Sequence, residues 1–447
     1  CRGILWTMKE DDPQCGLLGR LGVYYGLITP EQLAEAMRIQ GQYGNTRRLG
    51  EILLEKGFVD QAELDRLLYL QRLYLERHSL AAKKAPDRPR ISDGAFGERR
   101  EPAIRRILAV AKKVGASDVH IHAGAPVMLR VAGQLASVKM PALEPAQTER
   151  LIGDLLSPEE QKALAETGDL ELALDVSGIG RFRASLYRER RGFGAVLRAI
   201  PEKPPDLDGL RLPGMVARVA AFREGLVLVT GPSGCGKSST LAALVRLINE
   251  DRRDHIVTVE APVEFVHESL CCIVNQREVR RHTDSFAAAL RAALCEDPDI
   301  IVAGELWDVE TVTLALGAAE TGHFVMATLH ISGAARAISH IIELFPPADQ
   351  PHVRSMLAGA LRAVIYQQLV PTADGHGLVP AVEILMVTPG VARLIREDRP
   401  DEIQALLLAH RAHGMCAMDD SLAELVRSGM VRQEVARCFA SDPRRFD

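Results

Sequence analysis

The spacing of apolar residues changes period along the chain, and each change marks a segment. Over residues 1–78 apolar positions recur three and four apart, a helical period broken by glycine. This stretch aligns with itself at an offset of 31 residues: Leu18-Gly19, Gly26-Leu27-Ile28, Leu33 and Gln40 return as Leu49-Gly50, Gly57-Phe58-Val59, Leu64 and Gln71. Each copy predicts a short helix, a glycine turn and a second helix, so residues 1–78 are expected to form a helical repeat module. Residues 79–100 have no apolar period and are rich in charge, Pro and Gly, as a linker is. Over 101–205 a helical run (AIRRILAVAKKVGA) precedes alternating runs (SDVHIHAG, VMLRVAG, RFRASLYR, GAVLRAI), which predicts a small α+β domain. Over 206–345 short apolar runs alternate with helical segments, the pattern of a parallel α/β sheet. Residues 346–447 read as mostly helical, with a hairpin near Ile365–Ile384.

Composition narrows the class. The chain has 447 residues, 47% hydrophobic and 25% charged, which excludes a largely disordered chain or a low-complexity fibre. Lys+Arg total 54 against 59 Asp+Glu, a net charge of −5, and aromatics are only 4%. Neither a broadly basic surface nor a base-stacking platform follows, so no nucleic-acid partner is expected. No apolar run is long enough for a membrane-spanning helix, and the start, which is Cys1 and not Met, lacks signal-peptide features. The eight cysteines form no CxxC pair, so a zinc ribbon is not expected and a reducing cytoplasm fits better than a disulfide scaffold.

The densest chemical signal is GLVLVTGPSGCGKSSTLAALV. The strand-like run Leu226–Thr230 enters Gly231-Pro232-Ser233-Gly234-Cys235-Gly236-Lys237-Ser238-Ser239, and a helix of small and apolar residues follows. This is GxxxxGK[ST] in its strand–loop–helix setting. Glycines let successive N–H groups turn toward phosphate oxygens, and the helix N-terminus adds its dipole at the same place. Lys237 reaches β- and γ-phosphates, and the Ser238 hydroxyl can ligate Mg²⁺. ATP and Mg²⁺ are the expected ligands, although this loop does not specify the base.

Two acidic segments follow apolar strands, HIVTVEAPVE and DIIVAGE. Carboxylates at strand C-termini lie on the ligand edge of an open parallel sheet. Glu264 is the candidate base for an attacking water, and Glu305 the candidate for holding Mg²⁺ through its water shell. His323 and His330 flank a further strand, Phe324–Ala327. Single histidines are mostly structural, but two framing one strand of this sheet can report phosphate state.

From about Ala103 to Pro400 these segments together resemble the secretion-superfamily ATPases, in the branch of the type IV pilus retraction (twitching-motility) ATPases. The resemblance rests on ASDVHI (116–121), GFGAVLRAIP (192–201), the phosphate loop, VTVEAPVEFVH, VNQREV (274–279), ALRAALCEDPDIIVAGE, AAETGH, ATLH and LFP (344–346). It implies an α/β fold: a PAS-like α+β domain over 101–205 and a RecA-like ATPase domain over 206–345, six subunits forming a ring. It further implies that ATP hydrolysis rotates domains against an inner-membrane platform protein, which makes the chain cytoplasmic and peripheral to that membrane. Position by position, Glu264 becomes the catalytic glutamate and Glu305 the Walker B acid. His323 and His330 become the histidine box, and Arg183 and Arg198 become small-domain arginines that close over the γ-phosphate. A paralogous pilus ATPase is an implied partner.

The N-terminal repeat resembles the module that binds cyclic di-GMP in some pilus and secretion ATPases. Its second copy has the whole motif, Arg48, Leu49, Gly50 and Gln71, whereas the first has Leu17 in place of the arginine. This makes residues 17–71 a candidate cyclic di-GMP site. The family pattern is broken at Ala261 (family Asp), Trp307 (family Arg), Cys295 (family Arg) and Gly390–Ile395, where an Arg/Asn motif is altered. Because the phosphate loop and both glutamates are spared, nucleotide binding and hydrolysis are expected to survive, with slow turnover. The alternatives are an assembly or type II secretion ATPase, disfavoured by the missing tetracysteine insert, and a regulatory ring subunit that binds nucleotide without hydrolysing it.

Overall fold

A computed structural model describes residues 103–447 apart from 132–133, 202, 376 and 410–413; before these it describes 18–19, 22–23, 27–42, 47–61, 63–68 and 71. The linker expected at 79–100, Leu17 and Gly26 lie outside the described residues.

The 31-residue repeat is repeated in three dimensions. Thr29 and Gln32 cap one helix start by exchanging backbone-to-side-chain hydrogen bonds, and Asp60 and Glu63 do the same one repeat later. The N–H groups of Leu27 and Ile28 donate to Gly22 O, as those of Phe58 and Val59 donate to Leu53 O. Leu33 and Leu64 pack on Gly19 and Gly50, where a Cβ would come within 2.4 and 2.8 Å of a leucine methyl. The two copies close one core that includes Leu18, Leu33, Ile52, Leu53 and Leu67. Beyond this core, Arg66 places its guanidinium over the Phe439 ring, 5.4 Å from the centroid.

The small domain is an antiparallel sheet of six strands: β1 (Asp118–Ile121), β2 (Met128–Val131), β3 (Gln134–Ser137), β4 (Asp169–Val176), β5 (Gly180–Glu189) and β6 (Gly192–Ile200). Their order is β3-β2-β1-β6-β5-β4. The helix Ala103–Lys113 buries Ile104, Ile107, Leu108 and Ala111 in the core formed by inward residues such as Val119, Leu129, Ala184 and Leu197.

The second sheet has seven strands: β7 (Gly225–Thr230), β8 (His255–Glu260), β9 (Ile273–Glu278), β10 (Ile300–Ala303), β11 (Phe324–Leu329), β12 (Leu361–Pro371) and β13 (Leu378–Met386). The order is β13-β12-β7-β11-β10-β8-β9, parallel throughout except for the antiparallel β12–β13 pair. Every residue of β7 is buried: Leu226 and Leu228 face one helical layer, Val227 and Val229 the other. A strand covered on both faces loses the polar alternation of an edge strand, as the run GLVLVT does.

The hairpin expected near Ile365–Ile384 runs from Leu361 to Met386, and β12 pairs directly with β7. The segment after 345 therefore completes the sheet that carries the phosphate loop. Only helices then follow, among the described residues, apart from one isolated bridge between Ile384 and Cys416.

Pairing of β12 with β7 sets a tight constraint at the loop. Gly231 has φ +143°, and a Cβ there would lie 2.3 Å from Gln367 O and 2.7 Å from Cys235 Sγ. The backbone oxygen belongs to a sheet strand and has no room to retreat. Gly231→Ala is therefore expected to cost more than about 2 kcal/mol of stability and to abolish nucleotide binding. Chemical denaturation and nucleotide titration check the two effects.

Candidate active site

The phosphate loop joins β7 to the helix Lys237–Asp251. Gly234 and Gly236 take positive φ (79° and 95°), the conformation that glycine adopts without strain and that a phosphate-binding turn requires. Lys237 is 6% exposed. Its ammonium donates to Gly231 O at 2.9 Å, to Pro232 O at 3.1 Å and to His330 Nδ1 at 3.3 Å. All three ammonium protons are thereby used. Burial lowers the lysine pKa, and Cys235 and Glu305 oppose that shift. Cys235 faces inward, and burial raises its thiol pKa. Ser233, Gly234 and Ser238 are exposed on the outer side, with Pro232 and Ser239 half-buried.

Gln367 of β12 braces the loop from below. Its Nε2 donates to Cys235 O at 2.6 Å, and its Oε1 accepts from Thr240 Oγ1 at 2.7 Å. Sequence reasoning missed this residue. The available signal was a polar pair, Gln367-Gln368, inside an otherwise apolar strand.

Arg183, Ser238, Glu260, Glu264, Glu305 and Thr328 line one cleft beside the loop. Glu264 follows β8 on a segment fastened at several points. Val263 N–H donates to buried Glu278, and Arg181 donates to Val263 O and Glu264 O, both at 3.1 Å. From β5, Arg183 Nη1 donates to Glu264 Oε1 at 2.7 Å, while Nη2 reaches Glu171 at 3.3 Å. Burial works against the guanidinium charge, but Glu171 and Glu264 outweigh it and hold the arginine pKa above its ordinary value. Glu260 is also held here by Thr258 and Gln276, and burial raises its carboxyl pKa.

Glu305 follows β10, with Gly304 N–H bonded to Val259 O at 2.8 Å and Thr328 Oγ1 donating to Gly304 O. Its carboxylate meets His330 Nε2 at 3.0 Å. An ammonium can only donate, so His330 Nδ1 accepts from Lys237 and its Nε2 carries the proton donated to Glu305. Lysine, imidazole and carboxylate thus form one chain across the mouth of the loop. The exposed Ser238 hydroxyl and the part-exposed Glu305 carboxylate both face the cleft. Hard oxygen donors with room for water suit Mg²⁺, which keeps much of its hydration shell.

The geometry separates the other candidates. β11 runs parallel to β7, and His330 follows its C-terminal end, level with the loop. His323 precedes the N-terminal end of this six-residue strand, about 20 Å away at ~3.3 Å per residue. There its Nδ1 lies 3.0 Å from Ala318 O. Flanking one strand places two residues on opposite edges of the sheet, so His323 does not join the cleft. Arg198 is the direct cross-strand partner of Arg183 but sits one strand further from the cleft. It donates to Asp118 at 2.9 Å, next to Arg130. Within one chain, Arg183 reaches the cleft and Arg198 does not. The altered Trp307 stacks on His330, ring centroids 5.2 Å apart and planes 18° from parallel.

Comparison with known proteins gives the family. Residues 98–435 match the family described as type II/IV secretion system protein. The type IV pilus retraction ATPase PilT of Pseudomonas aeruginosa is 44% identical over 343 residues, covering 77% of this chain and 99% of that protein. A twitching motility protein of Neisseria gonorrhoeae is 42% identical, over 69% of this chain and 83% of its own. A crystal structure of the pilus retraction motor PilT with bound ADP superposes with a TM-score of 0.71 at 40% identity, over 77% of this chain and 99% of that one. The chain belongs to the type II/IV secretion ATPases, among the PilT-like pilus retraction ATPases.

Proposed function

We propose that the chain is the ATP-hydrolysing motor of a type IV pilus-like system, working in retraction. The contact of Arg183, a small-domain residue, with Glu264 at the nucleotide cleft carries this reading. It joins the group that senses phosphate charge to the group that activates water, and it does so across two domains.

Lys237 leaves its loop carbonyls for the β- and γ-phosphates, exchanging neutral acceptors for charged ones. Ser238 and Glu305 would hold Mg²⁺, which would supply charge neutralisation at the phosphates. The γ-phosphate competes with Glu264 for the Arg183 guanidinium, since a multiply charged oxyanion outbids one carboxylate. Removal of the arginine frees Glu264 to accept a proton from the attacking water. Arg183 then neutralises charge developing on the transferred phosphoryl group. Because Arg183 is carried by β5 of the small domain, its transfer moves that domain relative to the sheet. Hydrolysis and phosphate release reverse the transfer, which converts chemistry into rotation.

The chain acts in this reading as a cytoplasmic homo-hexamer, pushing on an inner-membrane platform protein beside a paralogous pilus ATPase. No described helix is long and apolar enough to cross a membrane, which is compatible with attachment through a partner. Ring assembly also offers Arg198 a cleft other than its own. Cyclic di-GMP is the proposed ligand of residues 17–71, supported by the exposed Arg48 at the start of the helix Leu49–Glu55.

Mg²⁺-dependent ATP turnover is expected in the parent chain and is lost in Lys237→Ala and Glu264→Gln; a phosphate-release assay decides it. Parent chain that binds ATP without turnover supports the regulatory-subunit alternative. Arg183→Ala is expected to lower kcat by about 100-fold or more, the scale of an arginine finger, with a smaller change in ADP affinity by calorimetry. Titration of the full chain with cyclic di-GMP is expected to saturate, and Arg48→Ala to weaken it at least tenfold.

A further inference from the structure

Trp307 is 58% exposed, a large apolar ring in a part of the surface that is otherwise mostly charged and polar. Nothing in the core requires it there. One face lies on the His330 imidazole, nearly parallel. Both rings are presented by rigid backbone. Leu306, just before Trp307, is buried and its N–H donates to Thr328 O of β11 at 3.1 Å. Asp308, just after, caps the helix Val309–Glu320 by accepting from Thr311 N–H at 2.8 Å. His330 directly follows Leu329, the buried last residue of β11. The backbone on both sides of Trp307 is therefore fixed, which aims its ring at the imidazole.

What the stack controls is the plane of His330. The imidazole serves Lys237 at one nitrogen and Glu305 at the other. Ring nitrogens bond in the ring plane, so rotation about the ring's attachment bonds breaks both contacts together. His330 is only partly buried, and solvent alone does not fix that plane. Among the described residues, the ring stacked on it is Trp307.

We propose that Trp307 is a positioning residue for ATP hydrolysis: its ring holds His330 in the orientation that bridges Lys237 and Glu305. The inference rests on the ATPase reading of this cleft and deepens it. Nucleotide arrival draws Lys237 from His330 Nδ1. The imidazole, kept in plane by Trp307, then presents that free nitrogen toward the phosphate side while its Nε2–H keeps Glu305 in place. Loss of the stack leaves the phosphate loop whole, so nucleotide affinity survives while the fraction of productive arrangements falls.

Two measurements on the full chain test this. Trp307→Ala is expected to lower kcat about tenfold with KM for ATP within twofold of the parent, and Trp307→Phe, which keeps a flat ring, to recover most of the loss. An alanine variant as fast as the parent, a phenylalanine variant no better than alanine, or a loss confined to KM overturns the proposal. The second measurement does not need turnover. The chain has two tryptophans, so Trp6→Phe leaves Trp307 as the sole indole emitter. Titration with Mg-ADP is expected to change its emission saturably, and His330→Ala to remove that change while calorimetry still records ADP binding. Emission that ignores bound ADP, or responds equally without the imidazole, overturns the stack. Absence of turnover in the parent overturns the ATPase reading and with it the catalytic role of Trp307, while the emission arm still decides whether its stack with His330 responds to nucleotide.

Discussion

The site depends on one buried cation. Lys237 carries an ammonium that is almost wholly removed from water, and an unpaired buried charge costs several kcal/mol or loses its proton. The fold meets this by turning two carbonyls of its own loop and one imidazole nitrogen onto the three protons. The loop and the His330–Glu305 side of the cleft are arranged around that requirement. Gly231 must be glycine so that β12 can lie against the loop, and Gln367 must be polar so that the loop's far carbonyl is satisfied. His330 must keep Nδ1 free of hydrogen, and that choice fixes its Nε2–H on Glu305. One electrostatic demand is thus passed through an imidazole to the acid expected to manage the metal.

A second ion pair links this centre to the neighbouring domain. Arg183 divides its guanidinium between Glu171 of its own sheet and Glu264 of the cleft. The cleft contact is partly exposed, so as a source of stability it is worth roughly 1 kcal/mol or less. Its interest is that it can be exchanged. A contact that weak holds two domains in register without locking them, and a phosphate can displace it. The same economy explains why Arg198, directly opposite Arg183 across β5–β6, does not repel it away: Asp118 takes up the second charge from the other side. Ala261, which stands where the family pattern has Asp, lines the same cleft, and there Arg183 and Arg181 engage Glu264 and the Val263 and Glu264 carbonyls.

How much was legible beforehand depended on how local the cause was. The phosphate loop was readable because each of its requirements acts within a few residues: positive φ at glycine, a buried strand before it, a helix start after it. The 31-residue repeat was readable for the same reason, since its caps and glycine contacts recur at fixed offsets. Glu264 and Glu305 were readable as acids after apolar strands in a parallel sheet, whose ligand edge is known in advance. His323 shows where such reasoning stops. It has the right type and a neighbouring motif, but the direction of β11 carries it to the far edge.

By itself, then, the sequence determined the α/β class, the helical repeat, the loop and the two acids, because dihedral preference and apolar period are written into short stretches of chain. The tertiary structure alone decided which side chains meet. It brought Gln367 under Cys235, Arg183 onto Glu264 and Trp307 flat against His330, over separations of 132, 81 and 23 residues. Those meetings follow from strand order, register and the packing of two sheets, which no local period encodes. It also withheld Arg198 from the cleft by a single strand width, a difference set by strand order and invisible in residue type.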